Sequence, residues 1–106
     1  MKVDKLDNFY RGWIIGDFEP SLIRSKDFEI GILTHTKGEK WPAHFHKKAT
    51  EYNILIKGRM KLCDVELQEG DTFILDPFEV ADPIFHEDCT IVCIKVPSDP
   101  KDKYIL

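Results

Sequence analysis

The chain has 106 residues, 42% of them hydrophobic and 32% charged, and a formal net charge of −4. That length suits one domain with one core, residues 1–106 throughout, and the composition is globular rather than disordered. The mild acidity excludes the basic footprint expected of a nucleic-acid or anionic-membrane binder.

The opening MKVDKLDNFYRGW has no apolar run behind its first lysine, so it does not read as a signal peptide. Its first ten residues are the best helical candidate, but their apolar periodicity is poor. Beyond them, short runs rich in β-branched and aromatic residues predict strands over 12–18, 28–34, 52–56, 60–64, 72–75, 80–85 and 90–96. Turn signals separate these runs: Glu19-Pro20-Ser21, Lys37-Gly38, Lys57-Gly58, Glu69-Gly70-Asp71, Asp76-Pro77 and Glu87-Asp88. No window approaches the roughly 18 apolar residues of a membrane span. Many short strands at close spacing indicate an all-β barrel or double-sheet roll. Residues 1–27 read as an N-terminal extension, 28–96 as the barrel core, and 97–106 as a tail anchored by Tyr104, Ile105 and Leu106.

Cys63, Cys89 and Cys93 are odd in number and contain no CxxC pair. They predict neither a disulfide framework nor a zinc site, and point to a reduced, cytoplasmic compartment. Cys89 and Cys93 share one strand face and are expected to fill core.

The stretch GEKWPAHFHKKATEYNILIKG, residues 38–58, concentrates the chemistry. On a strand, His44 and His46 point to one side and Phe45 to the other. Lys47 to Thr50 form a turn, and Glu51 opens the next strand beside the histidines. Two imidazoles and a carboxylate suit a divalent transition metal (manganese, iron, nickel or zinc). The other reading of the same spacing is a polar strand face in water. Alternation from Glu51 turns Asn53 and Leu55 toward the pocket, and Tyr52, Ile54 and Ile56 into packing between sheets or a dimer contact. Trp41 and Phe45 flank the histidines, either as packing or as an aromatic lip; Trp13 and Phe18 read as core. Lys47-Lys48 reads as a solvated turn.

The spacing of Gly38, His44, His46, Glu51 and Gly58 resembles the first sequence motif of the cupins, with every fixed position filled. The resemblance implies a double-stranded β-helix, or jelly-roll barrel, with His44, His46 and Glu51 on a divalent metal inside it. The second cupin motif has a glycine, a turn proline and glycine, a histidine that completes the metal site, and an asparagine. The corresponding stretch here is GDTFILDPFEVADPIF, in which Gly70, Asp71 and Pro77 match and the turn glycine, histidine and asparagine do not. Counting from Pro77 sets Asp82 at the fourth-ligand position. Three readings of Asp82 stay open: a ligand, a group orienting a histidine, or a turn residue beside Pro83. His86 shares the face of Asp82 but lies about 13 Å along the strand, so it lines the far end of the pocket or sits at the surface.

The resemblance thus implies a metal-binding cupin that takes a small polar ligand of sugar or organic-acid type. Such a protein is either a metal-dependent isomerase, epimerase, dioxygenase or lyase, or a binding or structural barrel without that chemistry. A homodimer is expected, because a small barrel has edge strands to cover.

Overall fold

Burial alternates along the strands, and that alternation sorts the chain into two layers. The structure, a computed structural model, describes all of residues 1–106. Its strands are β1 (Trp13–Gly16), β2 (Ile23–Arg24), β3 (Glu29–His35), β4 (His44–Phe45), β5 (Thr50–Lys57), β6 (Met60–Leu62), β7 (Val65–Leu67), β8 (Thr72–Leu75), β9 (Ile84–Phe85), β10 (Cys89–Val96) and β11 (Tyr104–Ile105). Six form one sheet in the order β2-β1-β3-β10-β5-β8. The second layer is built of β7-β6-β9 and β11-β4, joined to the flanking chain by the bridges Lys40↔Ile84 and His44↔Ala81. Leu55, Leu75 and Ile91 from the first layer pack on Met60, Leu62, Leu67 and Phe85 from the second in one buried cluster. The result is the all-β double-stranded roll expected from the strand spacing.

The central pairings are β10 with β3 and β10 with β5, both antiparallel along nearly their full length. Cys89 and Cys93 are buried and reduced on β10, so they fill core as expected, while Cys63 is exposed. The first ten residues hold short 3-10 turns (Leu6–Asn8, Tyr10–Gly12) rather than an α-helix. Their apolar residues lack a helical stripe to bury.

Three strands escaped the sequence reading. β2 is two residues long. β7 follows β6 through a tight hairpin in which Cys63 and Asp64 both have positive φ, 50° and 61°. Asn-Gly usually signals that turn, and Cys-Asp hides it. β11 is the anchored tail, pairing Tyr104 with Phe45 and Ile105 with His44. The run at 80–85 shrinks to Ile84–Phe85 because Pro83 has no N–H to donate.

Candidate functional site in the barrel

The two glycines that bracket 38–58 both take positive φ, 77° and 95°. At Gly58 no other residue fits: an added Cβ would lie 2.3 Å from the Asp88 carbonyl oxygen. Between them β4 is held on both sides, by β11 and by the exchange of backbone bonds between His44 and Ala81 at 3.1 and 2.7 Å. That clamp turns His44 and His46 into a cavity of about 460 Å³ and Phe45 outward. Phe45 packs between Phe78 and Tyr104, with ring centroids 6.2 and 5.5 Å away, so its role is packing.

Glu51 and Asn53 line the cavity from β5, as alternation required. Register across three strands sets Glu29, Lys95 and Glu51 side by side on the inner face. Lys95 Nζ lies 4.0 Å from Glu29 Oε2, and Ser98 Oγ donates to Glu29 Oε1 at 3.0 Å. Trp41 also lines the cavity, and Leu55 is fully buried in the core beneath it.

His46 is the best-determined member. A backbone carbonyl only accepts, so His46 Nδ1 carries the proton and donates it to the carbonyl of Asp102. Its Nε2 then holds a lone pair 3.1 Å from Glu51 Oε1. Two acceptors face each other there unless a cation or proton lies between them. Burial pushes His46 down to about 4, helped by Lys95. Burial likewise pushes Glu51 up, against the pull of Lys95. Both shifts have one cause: burial disfavours the charged form of each group. His44 is oriented in the same way, Nδ1–H donating to the Pro42 carbonyl at 3.1 Å, and burial lowers its basicity.

Asp102 anchors this corner. Its carboxylate accepts the backbone N–H groups of Lys47, Lys48 and Ala49, each at 2.9 Å, and it is 4% exposed. Burial raises its pKa, but those three bonds outweigh it and the net shift is down. The Lys47-Lys48 turn is therefore tied down as well as solvated, and Lys47 Nζ sits 4.3 Å over the Tyr104 ring.

Asp82 is not in the site. It is exposed, while its neighbours Ala81 and Pro83 line the cavity. Phe78, with φ 71°, takes the left-handed conformation that a turn glycine would supply, and its N–H binds the His46 carbonyl at 2.7 Å. Counting from that turn sets Ala81, not Asp82, opposite His44. The count from Pro77 was off by one, which on a strand reverses the face. His86 is also outside the cavity, hydrogen-bonded to Glu66 at 2.9 Å.

Other groups in the cavity carry no local sequence signal. His35 Nδ1–H donates to Glu39 at 2.6 Å, and Trp41 Nε1–H donates to the same oxygen at 2.5 Å. Burial pushes Glu39 up, but the bonds from His35, Trp41 and Thr36 hold it at about 2. Arg11 and Lys103 flank the Trp41 ring at 5.2 and 4.7 Å. Lys95 alone was reachable from sequence, by carrying the alternation of Ile91 and Cys93 one step on.

No group of three or more His, Cys, Asp and Glu side chains is gathered closely enough to hold a metal ion. His46 and Glu51 touch, and the His44 ring lies 5.8 Å from that of His46, centroid to centroid. The donor chemistry nonetheless suits a metal. Both histidines have Nδ1 committed to a carbonyl, which leaves Nε2 as the free donor atom, the usual outer support of a metal-bound imidazole.

No family model and no curated protein matches the sequence. Solved structures do. A Klebsiella pneumoniae protein with a double-stranded β-helix domain superposes with a TM-score of 0.70 at 16% identity, over 98% of this chain and 90% of that one. The chain has the cupin fold. A second cupin, the RmlC-like protein of Methanocaldococcus jannaschii, matches at 24% identity and a TM-score of 0.58, over 72% of this chain and 75% of its own. The DMSP lyase DddQ of Ruegeria pomeroyi matches at 14% and 0.68, over 88% of this chain but 49% of the lyase. The cupin barrel thus accounts for the all-β fold, and no helix is long and apolar enough to cross a membrane.

Proposed function

We propose that this cupin binds a small polar molecule, of sugar or organic-acid type, at a divalent metal held by His44, His46 and Glu51. The observation that carries the reading is the bare lone pair of His46 Nε2 set 3.1 Å from the Glu51 carboxylate. A bound divalent ion would supply positive charge to a ligand oxygen. The protein's own share is to fix both imidazole tautomers, through Pro42 and Asp102, and to keep Glu51 desolvated. With Ala81 where a fourth donor would stand, the metal set has three protein members.

Titration of chelator-treated protein with Mn²⁺, Fe²⁺, Ni²⁺ and Zn²⁺ tests this. One equivalent should bind, and any proton that coordination displaces from the site should be released with it. Calorimetry in buffers of different ionisation enthalpy reads that proton. If the variant H44A/H46A binds metal as well as the wild type, the reading is wrong. A second reading, a metal-free binding barrel, is favoured by Ala81 and by the separation of His44 from the His46–Glu51 pair; it requires ligand binding that chelator leaves unchanged.

We propose further that the chain pairs with a second copy through the outer face of the six-stranded sheet. Tyr52, Ile54, Ile74, Val92 and Ile94 make a shallow apolar groove there, and a second copy would cover it.

A further inference from the structure

The charges in the cavity are unevenly satisfied. Lys95 stands between Glu29 and Glu51 in the register of three adjacent strands, and Glu51 is held by His46. Arg11 and Lys103 are exposed and have no carboxylate within the 4.0 Å of an ion pair; both line the cavity and lie over the Trp41 ring. Glu19, which also lines the cavity, is exposed.

A second observation is independent of those charges. Asn53 is 9% exposed and lines the cavity, and its Nδ2 has no hydrogen-bond partner. A buried amide donor left open is costly, and it faces the same space as the unpaired cations. Away from them the cavity wall is apolar: Leu33, Met60, Leu62, Leu75, Phe85 and Ile91. Its volume, about 460 Å³, falls within the range of small-molecule sites.

We infer that the cavity is built for a small carboxylic acid with an apolar body, its carboxylate received by Asn53 Nδ2 and Lys103 beside Arg11, its body lying against Leu33, Met60 and Phe85. This rests on the proposed ligand-binding role of the barrel and narrows its ligand from polar molecules at large to amphiphilic acids. Trp41 helps to set the cations in place: Arg11 and Lys103 lie 5.2 and 4.7 Å from its ring centroid. A sugar would leave both the cations and the apolar wall unmatched.

The test uses unbranched monocarboxylates from butyrate to octanoate, the alcohols of equal length, and glucose. Each is titrated calorimetrically into the full chain, once with chelator and once loaded with Mn²⁺. The acids should bind in both states and tighten about fourfold per added methylene until the cavity is filled. The alcohols should bind at least about tenfold more weakly, as the loss of a charge-assisted bond requires, and glucose should not bind. The Lys103→Gln variant should lose about tenfold in acid affinity while keeping its Mn²⁺ affinity. The Asn53→Leu variant should unfold at a higher temperature than the wild type without ligand, because the open donor is gone, and should favour acid over alcohol less than the wild type does. Acids and alcohols binding equally, or Lys103→Gln binding acids like the wild type, would overturn the inference. Acid binding that persists in protein unable to take Mn²⁺ sinks only the metal site; Mn²⁺ binding without any acid binding sinks only the acid.

Discussion

Along β5 the inward residues are Glu51, Asn53 and Leu55, and the outward ones are Tyr52, Ile54 and Ile56. The inner face carries a carboxylate and an unpaired amide on the same strand as fully buried Leu55; the outer face carries large apolar side chains with Tyr52 45% and Ile56 51% exposed. Neighbouring strands repeat the contrast, with Lys95 and Cys93 inside against Val92 and Ile94 outside. A water-facing sheet usually reads polar outside and apolar inside. Here polar groups stand at one end of the interior, where a ligand would meet them, and the apolar surplus has moved to the exterior, where another protein would.

The strongest way to break the inner arrangement is through the tail. Asp102→Ala frees the N–H groups of Lys47, Lys48 and Ala49 together and removes none of the cavity lining. At about 1–3 kcal/mol for each freed donor, reduced by water at the two lysines, the loss should be about 3–5 kcal/mol. Denaturant unfolding measures it. Because the His46 anchor is the Asp102 backbone carbonyl, Asp102→Asn should keep more of the stability and show whether charge or shape holds the turn.

A slightly smaller effect comes from pH. His46 sits at about 4 in the fold against 6.5 in the unfolded chain. The depressed value means that folding is favoured above pH 6.5 and loses that support as pH falls toward 4, by up to about 3 kcal/mol at about 1.4 kcal/mol per unit. Glu51, with its raised value, acts in the opposite sense: its contribution is full below its unfolded pKa of 4.5 and is lost as pH rises through the folded value. The net curve should therefore be shallower than His46 alone would give, and Glu51→Gln should steepen it. Unfolding midpoints of metal-free protein from pH 7.5 to 4 read both. If Glu51→Gln leaves the slope unchanged, Glu51 does not oppose His46 over this range.

The smallest change in stability, and the sharpest separation of the two faces, should come from Ile74→Lys. Ile74 is 57% exposed on edge strand β8, so its substitution should shift monomer stability by less than about 0.5 kcal/mol. Light scattering should nonetheless move from twice 12.4 kDa to the monomer mass, with ligand binding inside the barrel intact. A wild-type protein that scatters as a monomer at working concentration rules the dimer out.

Much of this protein was settled by the order of its residues. Strand periodicity and turn residues determined an all-β roll, because a period of two buries one face only when strands stack in layers. The spacing of Gly38, His44, His46, Glu51 and Gly58 determined which side chains face inward from β4 and β5, since that geometry is local. What sequence left open needed distance in three dimensions. A left-handed Phe78 shifted the count by one residue and exchanged Asp82 for Ala81, and no propensity announces a phenylalanine in a glycine's place. Asp102 and Lys103 lie 51 and 52 residues beyond Glu51, and Arg11 lies 33 before His44; only the pairing of β11 with β4 and the fold of the N-terminal turns over Trp41 carry them to the cavity. Local chemistry fixed the donors; long-range packing decided which of them meet, and which charges were left without a partner.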